Sequence, residues 1–480
     1  MPLPVLDTRP VRRLMQPFVR FAHFESSSSI LLLLATLLAL YLANSRWALA
    51  YKTMLDIPLE VSIAHKAFSW PLALWVNDVL MDLFFLVVGL EVKRELLVGE
   101  LASFRRAILP VVAALGGMLV PALIYFSLNH SGPTAGGWGV PLATDVAFSL
   151  AVLVSFGSRI PFALRIFLAS LAIADDIGGV LVIALAYTRQ LHLVWLAVGA
   201  ALFLICLGLN RLGVTRLSVY LAMGVLIWVT LRESGVHPTL AGILLALALP
   251  SRSFLPAEHF VGRGSIRLEQ FGKSHSTYGH GPQTREALSD FKAGLHLVES
   301  PLDRLQSKLH PWVSYGIMPL FALTNAGISF AGFHLASVLH PAFTGVALGL
   351  LLGKPLGITT FSWLAVRLRL AELPRAVNWK QVHAVSWLGG IGFTVAIFIA
   401  GLAFGPAEQY TEARIAILLA SASAAVVGAM LLTITRTPSK SHKKAKIALQ
   451  EDAPSVLDTA VHSSAIPAHR QAAEPRGGIS

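Results

Sequence analysis

The chain has 480 residues, of which 55% are hydrophobic and only 13% charged, and its mean hydropathy is +0.66. That charged share is about half the usual one for a soluble globular domain, and a single cysteine, Cys206, excludes a disulfide scaffold. Apolar surface spread evenly from residue 30 to residue 433 excludes disorder and an ordinary cytoplasmic enzyme, and points to a polytopic helical membrane protein.

In chain order, apolar runs bounded by Pro, Gly or charge occupy 29–43, 72–91, 107–128, 138–155, 161–187, 192–209, 216–232, 236–250, 311–330, 341–366, 382–404 and 412–434. Most approach the ~20 residues needed to span the hydrocarbon core. The pattern predicts an all-α fold of twelve transmembrane helices, and an even count puts both termini on one side. Of the 38 Lys and Arg, 31 fall on the side of the termini, six on the other and one, Lys354, inside a run. This bias assigns both termini to the cytoplasm, and it explains the net charge of +12 without a nucleic-acid partner. The basic stretch from Arg9 to Arg20 before the first run could also belong to a signal peptide. The alternation of basic loops favours a retained first helix. The domain plan is therefore a cytoplasmic segment 1–28, a membrane domain 29–436 with a long polar cytoplasmic loop at 251–310, and a disordered cytoplasmic tail 437–480. No cofactor is expected; the bilayer itself is a partner.

Ionisable residues near the centres of apolar runs carry the functional signal. Asp175 and Asp176 lie in the fifth run, Asp145 in the fourth and Lys354 in the tenth. Each costs roughly 2.5–3.5 kcal/mol at the centre of a span unless paired or hydrated, so such residues mark pathways or proton relays more often than structural ion pairs. On a helix, Asp175 and Asp176 point about 100° apart. One can face a water-filled cavity while the other meets a neighbouring helix, and Lys354 is the natural partner for one of them. A proton and a hard cation such as Na⁺ then compete for the same oxygens, which is sufficient for antiport.

Two runs look interrupted. The fourth carries Gly136, Gly137, Gly139 and Pro141 just before Thr144 and Asp145; the eleventh carries Gly389, Gly390 and Gly392 just before Thr394. Such residues either let helices pack closely or free backbone groups that must line a cavity. Their corresponding places in predicted helices 3–5 and 10–12 suggest inverted repeats, with broken helices 4 and 11 crossing near the membrane centre. Asp145 could offset the positive helix ends there and Lys354 the negative ones.

Several stretches carry a family resemblance: Phe84-Phe85-Leu86-Val87-Val88-Gly89-Leu90-Glu91-Val92-Lys93-Arg94-Glu95-Leu96, Ala143-Thr144-Asp145-Val146-Ala147-Phe148, Ala172-Ile173-Ala174-Asp175-Asp176-Ile177-Gly178, Ser234-Gly235-Val236-His237, Gly353-Lys354-Pro355-Leu356-Gly357 and Gly390-Ile391-Gly392-Phe393-Thr394. In order, over about residues 20–435, the chain resembles the NhaA-type sodium/proton antiporters. The resemblance implies an electrogenic inner-membrane exchanger of cytoplasmic Na⁺ or Li⁺ for external H⁺, serving sodium and pH homeostasis. It implies that Asp176 is the main cation ligand and proton carrier, that Asp175 shares the metal-ion site and pairs with Lys354, and that Thr144 and Asp145 sit at the crossing. It further implies a homodimer through about residues 45–70, and pH regulation by the funnel charges Glu91, Lys93 and Glu95 together with His237 and His310.

The chain departs from the family pattern in places. Leu305-Gln306-Ser307-Lys308-Leu309 stands where an acidic residue and another histidine are usual, Asp82 is an additional carboxylate, and four serines open the first run. Rival readings are K⁺/H⁺ exchange on the same carboxylates, a channel, and an intramembrane aspartyl protease. The protease reading would need two carboxylates on separate helices.

Overall fold

The structure, a computed structural model, describes residues 27–63, 66–188, 191–251, 299–330, 335–374, 376–405 and 407–435. The expected segment 1–28 lies almost wholly outside the described residues, as do most of the loop 251–310 and nearly all of the tail 437–480 with its flank.

Apart from one β-hairpin the described chain is helical. Helix α1 (Ser27–Ala43) turns through 116° into α2 (Ala48–Leu55). Strands β1 (Pro58–Ile63) and β2 (Lys66–Pro71) pair antiparallel, Pro58 opposite Pro71 and Ile63 opposite Lys66. There follow α3 (Leu72–Val98), α4 (Phe104–Leu128), a 3₁₀ segment (Ala135–Leu142) leading into α5 (Val146–Ser155), α6 (Phe162–Ala186), α7 (Leu193–Arg211), α8 (Leu217–Ser234) and α9 (Leu240–Ala248). The chain continues with α10 (Pro301–Trp312), α11 (Met318–Asn325), α12 (Pro341–Arg367), α13 (Trp379–Leu388), α14 (Phe393–Phe404) and α15 (Glu408–Ile434). Among the described residues, eight helices are long and apolar enough to cross a membrane, or up to ten if each of two bent helix pairs counts as one crossing. The protein is thus a polytopic α-helical membrane protein.

Every predicted run overlaps helix, but some boundaries differ for local reasons. The run 236–250 yields only the nine residues of α9, because Leu249 precedes Pro250 and takes an extended conformation (φ −60°, ψ 140°). The run 311–330 stops at Asn325, whose side chain trades hydrogen bonds with Asn77 at 2.7 and 3.2 Å. The last residues assigned to the loop 251–310 are instead the start of α10, where Ser300 accepts from the Asp303 backbone N–H and Pro301 opens the first turn. The β-hairpin was not foreseen. Its anchor is Arg232 at the end of α8, which lies 3.8 Å over the Trp70 ring and 3.3 Å from Asp78 of α3.

The outside of the bundle is oily and its small residues are inside. Leu185, Leu193 and Leu204 are exposed, as lipid-facing side chains must be. The α4–α12 contact runs through Gly116 and Gly357, where a methyl on either would collide with the other's carbonyl oxygen, and through Gly353 against Pro121. That close approach of two backbones brings Lys354, at the exit of the wide turn Gly349–Gly353 in α12, into the interior.

Candidate ion and proton site

Two unwound stretches meet at the centre of the bundle. Between the 3₁₀ segment and α5, residues 143–145 are extended; between α13 and α14, residues 389–392 form a turn, and the two helices are bent by 51°. The breaks bind each other directly. The Asp145 backbone N–H donates to Ile391 O at 2.6 Å, the Thr144 hydroxyl reaches Gly389 O at 2.8 Å, and the Ser149 hydroxyl reaches Leu388 O at 2.8 Å. Carbonyls at the end of α13 therefore find donors on the other break, as low-dielectric surroundings require.

The Asp145 carboxylate, 1% exposed, caps two helices at once. Its Oδ1 accepts the Phe148 N–H of α5 at 3.2 Å. Its Oδ2 accepts the Thr394 N–H at 3.1 Å and the Thr394 hydroxyl at 2.6 Å, at the start of α14. Two helix N-termini of about half a positive charge each thus converge on one carboxylate.

Beside this crossing, the buried Lys354 ammonium is ion-paired with Asp175 Oδ2 and lies 3.0 Å from the Thr144 hydroxyl. Thr144 Oγ1 is also 2.6 Å from Asp175 Oδ2. One hydroxyl hydrogen can serve Asp175 or Gly389 O, but not both at once. Lys354 is fully buried, and this threonine links its ammonium to the end of α13. Asp175 Oδ1 has no partner among the described residues.

Asp176 points elsewhere, as its position one residue on dictates. It lines a cavity of about 640 Å³, and its carboxylate makes no hydrogen bond to the described residues. Asp145, Thr394, Ala147 and Ile173 surround it there; Glu91, Arg94, Glu95, Gln306 and His310 line the same cavity towards the end of α3. Ser28 and Ser29 at the start of α1 join the wall, with the Ser29 hydroxyl 3.0 Å from Ala147 O.

The structure thus gathers Thr144, Asp145, Asp175, Asp176, Lys354 and Thr394 at one place, with Glu91, Glu95 and His310 on the wall of the same cavity. Glu95 also has a local duty, accepting the Glu100 N–H at 2.7 Å. Lys93 and His237 do not line the cavity. The Lys93 ammonium reaches carbonyls at the C-terminal end of α9, Leu247 O at 2.7 Å, Ala246 O at 3.4 Å and Leu249 O. His237 stands at the start of α9, its Nδ1 2.7 Å from the Thr239 hydroxyl and its ring against Phe398. Of the broken-helix residues, Gly139 faces Tyr187 and Val182, Pro141 packs on Gly349, and Gly390 and Gly392 press on Leu350.

Ser149 and Ser421 were not singled out from the sequence, and Gln306 was noted only as part of a departure from the family pattern. A serine within an apolar run carries the same signal as any small packing residue. Asp82 was noticed but unexplained; its Oδ1 accepts the Gly242 N–H at 2.7 Å, at the N-terminal turn of α9.

Comparison with known proteins matches this architecture to one family. The family model described as Na⁺/H⁺ antiporter 1 matches residues 19–432. A Na(+)/H(+) antiporter NhaA of Koribacter versatilis is 47% identical over 423 residues, covering 88% of this chain and 92% of the relative. One of Oleidesulfovibrio alaskensis is 45% identical, covering 90% and 97%, and a Na(+)/H(+) antiporter NhaA 2 of Sorangium cellulosum is 44% identical, covering 92% and 96%. With matched segments running through both helix breaks, the buried aspartates and the lysine, the chain belongs to the Na⁺/H⁺ antiporter 1 family of multi-pass membrane transporters.

Proposed function

We propose that this protein is an electrogenic antiporter that exchanges cytoplasmic Na⁺ or Li⁺ for a larger number of external protons, through competition at Asp176. The observation that carries the reading is the contrast between adjacent carboxylates: Asp175 is held by Lys354 and Thr144, whereas Asp176 faces the cavity with no hydrogen-bond partner among the described residues. A carboxylate left without a protein donor can take a proton or a hard monovalent cation, and each excludes the other. Asp145 and the hydroxyls of Thr144 and Thr394 add oxygens nearby, and the Asp175–Lys354 pair gives the site a second place from which a proton can leave. More than one proton for each cation makes the cycle electrogenic, so a membrane potential drives it at about 2.3 kcal/mol per net charge per 100 mV.

The wider reading has twelve spans with inverted repeats in helices 3–5 and 10–12, a bacterial inner-membrane location with both termini cytoplasmic, and a homodimer formed through the segment 45–70. The cavity then opens to the cytoplasm, and Glu91, Glu95 and His310 tune entry with pH. A role for Lys93 in this tuning is indirect, through α9. Protease chemistry is disfavoured, because Asp175 is committed to Lys354 and Asp145, the carboxylate that shares the cavity with Asp176, is committed to the helix starts at Phe148 and Thr394.

The test is Na⁺-, Li⁺- and K⁺-driven proton movement in membrane vesicles from pH 6 to 9. Asp176→Asn is expected to abolish the response to Na⁺ while the protein still inserts; normal exchange by that variant refutes the assignment. A response to K⁺ alone would overturn the Na⁺ reading.

A further inference from the structure

The N-terminus of α14 presents three backbone N–H groups, those of Gly392, Phe393 and Thr394, which the helix itself cannot satisfy. Asp145 takes one. The other two point away from it, to α15, where the Ser421 hydroxyl oxygen accepts both, at 3.2 Å from Gly392 N and 3.2 Å from Phe393 N. Ser421 is buried at 6% exposed, so water is a poor substitute. The turn it holds has no slack: a methyl added at Gly392 would lie 3.0 Å from Leu350, 3.0 Å from Ala396 and 3.2 Å from the carbonyl oxygen of Ala143 in the opposite break.

We infer that Ser421 is a positioning residue for ion exchange, holding the first turn of α14 so that Thr394 stays against Asp145 on the cavity wall. Its chemistry suits the place. It satisfies two donors without charge, whereas a carboxylate there would add a competing acceptor for protons and cations close to Asp145. Without it, two N–H groups are left unpaired in a low-dielectric interior, and the turn can recover them only by moving. Thr394 follows Phe393 directly, so that movement is transmitted to the Asp145 hydrogen bonds and to the wall that a cation meets. The inference rests on the reading that this crossing shapes the cation site.

The experiment measures apparent KM for Na⁺, maximal rate and pH profile in vesicles for the wild-type protein, Ser421→Ala and Ser421→Thr, with melting temperature in detergent alongside. Ser421→Ala is expected to raise KM on the order of tenfold, the factor that ~1.4 kcal/mol of lost interaction gives, with a smaller change in maximal rate; Ser421→Thr keeps the acceptor and restores the wild-type KM. An Ala variant with wild-type KM across the pH range overturns the inference, as does one that only melts earlier, and so does a Thr variant as impaired as Ala. If Ser421→Ala does not accumulate in membranes, Ser421→Cys, with a weaker acceptor of similar size, is read by the same KM criterion. A wild-type protein without Na⁺-driven proton movement sinks the exchange reading itself, which is a separate outcome.

Discussion

One step of about 100° around α6 separates the surroundings of Asp175 and Asp176. The first enters the packed interior between α6 and α12; the second reaches the cavity. The pair with Lys354 is a stability element as well as a chemical one, since removing one partner strands a charge where nothing solvates it. Lys354→Ala is expected to cost about 3–5 kcal/mol, read as an earlier thermal transition in detergent. Combining it with Asp175→Asn should recover much of that loss, because a neutral amide no longer needs the ammonium. An unchanged melting temperature for Lys354→Ala would argue against the pairing.

At the scale of elements, the short helix α9 shows how this fold secures segments that cannot secure themselves. Its nine residues are too few to hold together alone, and its N-cap residue Thr239 makes no side-chain cap bond. Helix α3 supplies both ends: Asp82 accepts from the Gly242 N–H at the start, and Lys93 donates to the last carbonyls. Eleven residues of α3, about 16 Å, match the ~14 Å length of α9, so each charge sits against the dipole end of opposite sign. Close packing of Gly89 on Ala246 and of Gly242 on the α3 backbone completes the contact. Asp82→Asn should loosen the start of α9 and Lys93→Met its end, each by ~0.5–2 kcal/mol and nearly additively. Amide hydrogen exchange along 240–248 would show it; protection unaltered in both variants would mean the caps contribute nothing.

At the scale of the whole molecule, exclusive occupancy makes a quantitative demand. In the proposed exchange protons compete with Na⁺ for the cavity carboxylate, so acidification is expected to raise the apparent KM for Na⁺. On the acid side of the site's titration the rise approaches about tenfold per pH unit for one competing proton, and it vanishes on the alkaline side, where no proton is left to displace. A KM for Na⁺ that does not change from pH 6 to 9 would be incompatible with competition at Asp176.

The amino-acid sequence alone determined the class of this protein, because most apolar runs are close to the length of a bilayer and the charges fall mainly between them. It also singled out Asp145, Asp175, Asp176 and Lys354 as candidates, since a charge inside an apolar run is costly unless paired or hydrated. The helix breaks were legible from Gly389, Gly390 and Pro141 for the same reason: such residues rarely sit in a span unless backbone groups there have other partners. Tertiary structure alone decided which partners those were. Period and composition fix a side chain's direction on its own helix, not what the neighbouring helix offers it. Lys93 was expected as a funnel charge, and its ammonium reaches the last carbonyls of α9; Asp82 had no evident purpose until Gly242 was beside it. Ser421 was one small residue among many, because a hydroxyl becomes informative only when two unpaired N–H groups from elsewhere in the chain arrive within reach.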